Sequence, residues 1–177
     1  MFHNRLRHLI PALFISGLIV LPGDLSAQNK PCEGEVPRQF DFWVGTWRVE
    51  NPAGAVVGHN TITRVTDCFL HESYTTPTGY EGQSFNIYDA ARGVWHQSWV
   101  DNGGLLLQLD GGLDGGKMIL QGPGVGQGGV AVINRITWSV EGGDPDHIRQ
   151  LWETSTDDGE TWSVGFDGHY TREAEGS

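Results

Sequence analysis

Basic residues are scarce in this chain: 11 Lys and Arg stand against 22 Asp and Glu, a formal net charge of −11 at pH 7. A surface of that sign repels phosphate backbones, which excludes nucleic acid as a partner class. Long apolar runs are missing beyond Leu21, so nothing later approaches the roughly 20 residues of a membrane span. No stretch after the N-terminal one sustains a helical period. Catalytic signatures are equally thin, with no G-x-S-x-G, no H-E-x-x-H and no EF-hand loop. Gly124-Val125-Gly126-Gln127-Gly128-Gly129 fits a dinucleotide-binding pattern, and Gly111 to Lys117 nearly spells a phosphate loop. Both precede a predicted strand, so no helix N-terminus is available to hold a phosphate. No cofactor is expected.

Cysteine is limited to Cys32 and Cys68, with no C-x-x-C spacing, which makes a poor metal pair. A disulfide is the expectation, given the exported address argued next, and two free thiols are the alternative. The bridge would close a loop of about 37 residues, worth roughly 3–4 kcal/mol in the chain-entropy model. It would tie an N-terminal lead segment to the start of a later strand.

Arg5 and Arg7 form a basic start, Leu9 to Leu21 an apolar run, and Leu25-Ser26-Ala27 a small-residue cleavage site before Gln28. These features predict a signal peptide over residues 1–27, cleaved after Ala27, and a periplasmic or secreted protein that leaves the membrane on cleavage. An uncleaved anchor is the other reading. Asn29-Lys30-Pro31 before Cys32 is not a lipobox. What remains is the size of one domain: a lead segment 28–39, a barrel domain 40–172 and a tail 173–177. The pattern specifies no oligomeric state.

In place of helical periods there are short β-branched and aromatic runs separated by turn dipeptides. Predicted strands are Gly45 to Glu50, Val56 to Val65, Cys68 to Thr76, two arms within 80–101, Leu105 to Leu109, Met118 to Gln121, Val130 to Val140, His147 to Thr154 and Trp162 to Tyr170. Residues 110–116 read as a doubled Asp-Gly-Gly turn, and Gly122 to Gly129 as a glycine-rich linker. About ten short strands in meander order predict an all-β, antiparallel up-and-down barrel, closure being the economical way to remove sheet edges. Trp43, Trp47, Trp95, Trp99, Trp138, Trp152 and Trp162 can each bury about 150–250 Å², and most must line the interior.

The segment 80–101 is the most informative. Tyr80, Gly82, Ser84, Asn86 and Tyr88 share one parity on its first arm, and Trp95, Gln97, Trp99 and Asp101 share one on its second. A four-residue turn, Ala90-Ala91-Arg92-Gly93, would set Tyr88 opposite Trp95, Asn86 opposite Gln97, and Ser84 opposite Trp99. Aromatic rings interleaved with amides suit a wet cavity better than a dry core. The reverse face, with Phe85, Ile87, Val94 and Val100, competes to be the inside, although Glu81, Gln83, Asp89 and His96 on it argue otherwise. Asn86 and Gln97 could also simply satisfy each other across the strands.

The segment Phe40-Asp41-Phe42-Trp43-Val44-Gly45-Thr46-Trp47 resembles the opening of a calycin-type barrel, as in lipocalins, fatty-acid-binding proteins and nitrobindins. More closely, the chain resembles a family of exported bacterial barrel proteins, a domain of unknown function. The matching pieces are Phe42 to Trp47, Gly82 to Asp89, Trp95 to Asp101, Arg149 to Glu153, and Trp162 with Asp167 to Tyr170. The resemblance implies a short helical plug before the first strand, a tryptophan packed across one barrel end, and a cavity. It brings no substrate and no catalytic residues.

Two functional readings follow. In the first, the barrel binds a small amphipathic or aromatic molecule as a carrier or sensor. Tyr88, Trp95 and Trp99 would pack on this ligand, while Ser84, Asn86, Gln97 and Gln150 orient it. In the second, it is a cofactor-independent enzyme with Asp101 or Glu153 as general base, its pKa raised by desolvation beside tryptophan. Nitrobindin-like barrels ligate haem through a late-strand histidine, which makes His169 a weak haem-ligand candidate; if Trp162, Val164, Phe166 and Tyr170 face in, His169 faces out. His71 and Glu72 alternate across their strand and form no ready acid-base pair.

Overall fold

The computed structural model describes residues 32–174, so the expected leader, its cleavage after Ala27 and the end of the tail lie outside the described residues. Ten antiparallel strands close into one barrel in meander order, each paired with its sequence neighbours and the last with the first. They are β1 (Gly45–Glu50), β2 (Val56–Thr66), β3 (Phe69–Thr75), β4 (Glu81–Asp89), β5 (Val94–Asp101), β6 (Leu106–Asp114), β7 (Lys117–Val125), β8 (Ala131–Glu141), β9 (Asp144–Ser155) and β10 (Ser163–Arg172). The segment 80–101 supplies β4 and β5.

Alternation separates inside from outside most clearly on β2, β3 and β4. Two 3₁₀ turns, Val36–Arg38 and Asp41–Trp43, form the plug ahead of β1. Phe40 and Trp43 are fully buried there and stacked on each other at 4.8 Å. Both rings lie against Trp138, and Phe40 meets Trp95 edge-on. Aromatic packing therefore closes the barrel end where β5 begins and β8 finishes. Trp47 lies at the same end: its indole N–H donates to the Trp43 carbonyl at 2.9 Å, and the Arg172 guanidinium covers its ring at 4.1 Å.

Cys32 and Cys68 are bonded, 36 residues apart in sequence, fastening the lead segment to the residue before β3. Replacing both by serine should lower the unfolding free energy by about 2–5 kcal/mol. Urea titrations of the two proteins, with and without reductant, check this: reductant should bring the parent to the level of the variant.

Two predicted breaks are strand. Asp110-Gly111-Gly112-Leu113-Asp114 belongs to β6, so only Gly115-Gly116 turns the chain, and the supposed linker from Gly122 to Val125 continues β7. A Cβ at Gly111 would overlap the Ile119 carbonyl, and one at Gly122 the Gln108 carbonyl. These glycines let neighbouring backbones close up rather than turn. On β10 the register shifts between Val164 and Phe166. Phe166 and Tyr170 pack into the core, while Val164 is exposed and Trp162 stacks under the Arg135 guanidinium at 3.7 Å.

Candidate functional site

The β4–β5 turn is held by Asp89, whose Oδ1 accepts from the Ala91 and Arg92 amides, and by Gly93 at φ +70°. That turn sets Ser84 opposite Trp99, Asn86 opposite Gln97 and Tyr88 opposite Trp95, the register the sequence predicts. The polar-aromatic face points inward: Ser84, Asn86, Trp95 and Gln97 are buried, and Phe85, Ile87 and Val100 are exposed. A cross-strand contact to β3 then places Glu72 beside Ser84.

A chain of hydrogen bonds crosses four strands. Gln97 Nε2 donates to Asn86 Oδ1 at 2.9 Å, and Asn86 Nδ2 to Ser84 Oγ at 2.7 Å. Ser84 Oγ donates to Glu72 Oε2 at 2.5 Å, and Asn60 Nδ2, from β2, to Glu72 Oε1 at 2.8 Å. Asn86 and Gln97 thus do meet each other, yet Gln97 Oε1 and Asn60 Oδ1 remain without partners. Leaving a buried acceptor unpaired costs roughly 1–3 kcal/mol.

Burial pushes the Glu72 carboxyl up to about 7, against the opposing pull of the bonds from Ser84 and Asn60. Tyr74 is pushed up to about 12 by burial and by the charge of Glu72. Tyr170 is raised by the same two causes.

Glu72 and Gln97 form the polar floor of a cavity of about 320 Å³, walled by Tyr74, Trp99, Trp152, Phe166 and Tyr170 among others. These positions sit toward the end opposite the plug, where the β3–β4, β5–β6 and β9–β10 turns lie. Gly82 makes room for one wall, since a Cβ there would overlap the Trp99 indole.

Asp101 holds the rim together. Tyr80 Oη and Trp99 Nε1 donate to its Oδ2 at 2.7 and 3.1 Å, and the Gly103 and Leu105 amides donate to its Oδ1. Burial works to raise its pKa, but those bonds outweigh it and hold the carboxyl below its ordinary value. That corrects the expected raised pKa: Asp101 orients the Tyr80 and Trp99 side chains and is poorly suited to act as a base. Glu153 is not at the cavity mouth either, being engaged by Arg135 at 2.9 Å on the parity opposite Trp152. The carboxyl that is raised toward neutrality is Glu72.

Of the residues expected to contact a ligand, Gln97, Trp99 and Gln150 line the cavity. Ser84 and Asn86 stand behind them as links in the chain to Glu72. Tyr88 and Trp95 pair with each other at the plugged end, away from the lining. His169 is turned outward, its Nδ1 3.0 Å from Glu141, so it offers nothing to a group held in the interior. Glu72, Tyr74, Trp152, Phe166 and Tyr170 complete the lining, none of them expected from the sequence to contact a ligand. Parity alone could have found Glu72, because it falls between Leu70 and Tyr74 on the inward face of β3. Compared with protein-family models and with curated proteins, the chain has no significant match.

Proposed function

We propose that this protein is an exported, calycin-like barrel that binds a small amphipathic or aromatic molecule as carrier or sensor. The observation that carries this reading is the cavity of about 320 Å³, with aromatic walls and a polar floor. Small-molecule sites are typically apolar concavities with a few convergent polar groups. The disulfide supports an oxidising, periplasmic or secreted address, in keeping with the leader-like N-terminal sequence. Trp99 and Trp152 in the walls make intrinsic fluorescence a direct reporter. Titrating a metabolite library should find compounds that shift emission and raise the melting temperature. Gln97→Ala should weaken such a compound by about 2–10-fold, the worth of one neutral hydrogen bond. Emission and melting temperature unmoved by every compound would defeat the reading.

One observation favours a second reading. A buried carboxyl raised to about 7 is poised to exchange protons near neutrality, so a cofactor-independent proton-transfer enzyme could use Glu72 as its acid-base group. Glu72→Gln separates the two: retained affinity with lost conversion of the bound compound identifies the enzyme.

A further inference from the structure

The hydrogen-bonding capacity left over in the cavity is one-sided. Most wall groups that could donate are already engaged. Tyr74 Oη donates to the Val57 carbonyl at 3.3 Å, Trp152 Nε1 to Asn134 Oδ1 at 3.0 Å and Tyr170 Oη to Gln150 Oε1 at 2.6 Å. Tyr80 and Trp99 are both spent on Asp101. Among the lining side chains only the Gln150 amide nitrogen and the Thr154 hydroxyl keep donors. The floor, by contrast, is rich in acceptors. Gln97, only 2% exposed, has an Oε1 with no partner. Each Glu72 oxygen accepts a single bond, from a neutral residue, although a carboxylate oxygen can accept two. Among the described residues no Lys, Arg or His pairs with Glu72. The indole N–H groups that do lack partners, on Trp43, Trp95 and Trp138, are not part of the cavity lining.

We infer that the cavity is built for a small amine carrying an apolar body, its ammonium seated on Glu72 and Gln97 and its body between Trp99, Trp152 and Phe166. This rests on the binding-barrel reading and gives that site its ligand class. An ammonium supplies the donors and the positive charge that the floor lacks. The aromatic walls add cation–π attraction along the way, and the protein's negative net charge draws cations toward it. A cavity of about 320 Å³ holds the volume of roughly ten water molecules, which fits one ring with a short amine tail.

Proton bookkeeping supplies a second readout. Glu72 faces Asn60 from β2, Ser84 from β4, Gln97 from β5, and the phenols of Tyr74 and Tyr170. The two amides and the hydroxyl do not titrate, and both phenols are raised above their ordinary value. Asp101, the charged group at the rim, is already held ionised. An ammonium arriving beside Glu72 therefore displaces about half a proton per site to the buffer at pH 7, approaching one near pH 6.

Calorimetric titrations with 2-phenylethylamine, 2-phenylethanol and 3-phenylpropionate test the inference, with tryptamine and hexylamine to vary the body. At about pH 8 at least one amine should bind about tenfold or more tighter than the alcohol and the acid, as a charged hydrogen bond warrants. Glu72→Gln should erase that preference, and Gln97→Met should reduce it. At about pH 6 amine affinity should fall about tenfold, with proton release scaling with buffer ionisation enthalpy. Alcohol or acid binding as tightly as the amines overturns the inference and leaves the binding barrel standing. Failure of all the amines also overturns it. The library titration then decides the barrel reading separately.

Discussion

Trp43→Ala should remove about 3–5 kcal/mol of unfolding free energy, the range for deleting a large aromatic from a packed core. Trp43 is fully buried in the turn Asp41–Trp43, stacked on Phe40 and 5.2 Å from the Trp138 ring centroid. Its removal leaves a hole that the closed sheet cannot collapse around, because strand spacing is fixed by the hydrogen-bond ladder. The plug would then keep only Phe40, against Trp95 and Trp138, as its aromatic anchor in the barrel, with the Cys32–Cys68 bond upstream of it. Trp43→Phe should cost much less, because the indole N–H it deletes has no partner and most of the ring contact survives. Trp162→Ala, by contrast, should cost only about 1–2 kcal/mol, since that half-buried ring offers a cation–π stack on a partly exposed Arg135 and one N–H bond to the Gly159 carbonyl. Urea unfolding of the three variants checks the order. A Trp43→Ala loss below about 1 kcal/mol would show that the plug does not close this end.

That contrast between Trp43 and Trp162 marks how far the pattern of residues reaches. Strand existence and order were legible because tight turns and parity are local: Asp89 with Gly93 determines the β4–β5 turn, and the turn determines which amides meet. What escaped was non-local. Nothing around Trp162 announces the shift between Val164 and Phe166 that puts two residues of one parity on the outside and leaves Phe166 and Tyr170 inside. Nor does Gly111 announce that its missing side chain admits the Ile119 carbonyl from β7; on its own it reads as a turn. Glu72 is the instructive case. Viewed along β3 its parity with Leu70 and Tyr74 turns it inward, but only the pairing with Ser84 across to β4 ties it into the polar chain under the cavity. Asp101 erred the other way: tryptophan beside it suggested desolvation, whereas four donors converge on it.

Stability should fall by about 3 kcal/mol between about pH 4.5 and pH 8, and Glu72→Gln should abolish that fall. Glu72 is raised from 4.5 to about 7 on folding, so the folded state holds its proton more tightly than the unfolded chain does. Its contribution is complete below the unfolded value and is lost as pH rises through the folded one. Asp157, lowered to about 2 by bonds from the Thr161 hydroxyl and amide, works in the opposite direction, as do Asp101 and Asp167. Their contribution is present above the ordinary carboxylate range and is lost as pH falls through their folded values. The parent protein should therefore be most stable near about pH 5, an acid-shifted maximum for a chain with so many carboxylates. Urea unfolding across this range settles it: parallel curves for the parent and Glu72→Gln would mean that Glu72 does not titrate in that window. The same slope joins stability to binding. An uncompensated buried carboxyl is a standing loss to the fold, and a seated ammonium would remove it by restoring the charge balance. With a saturating amine the alkaline limb should flatten toward that of the variant, while 2-phenylethanol at saturation should leave the slope intact.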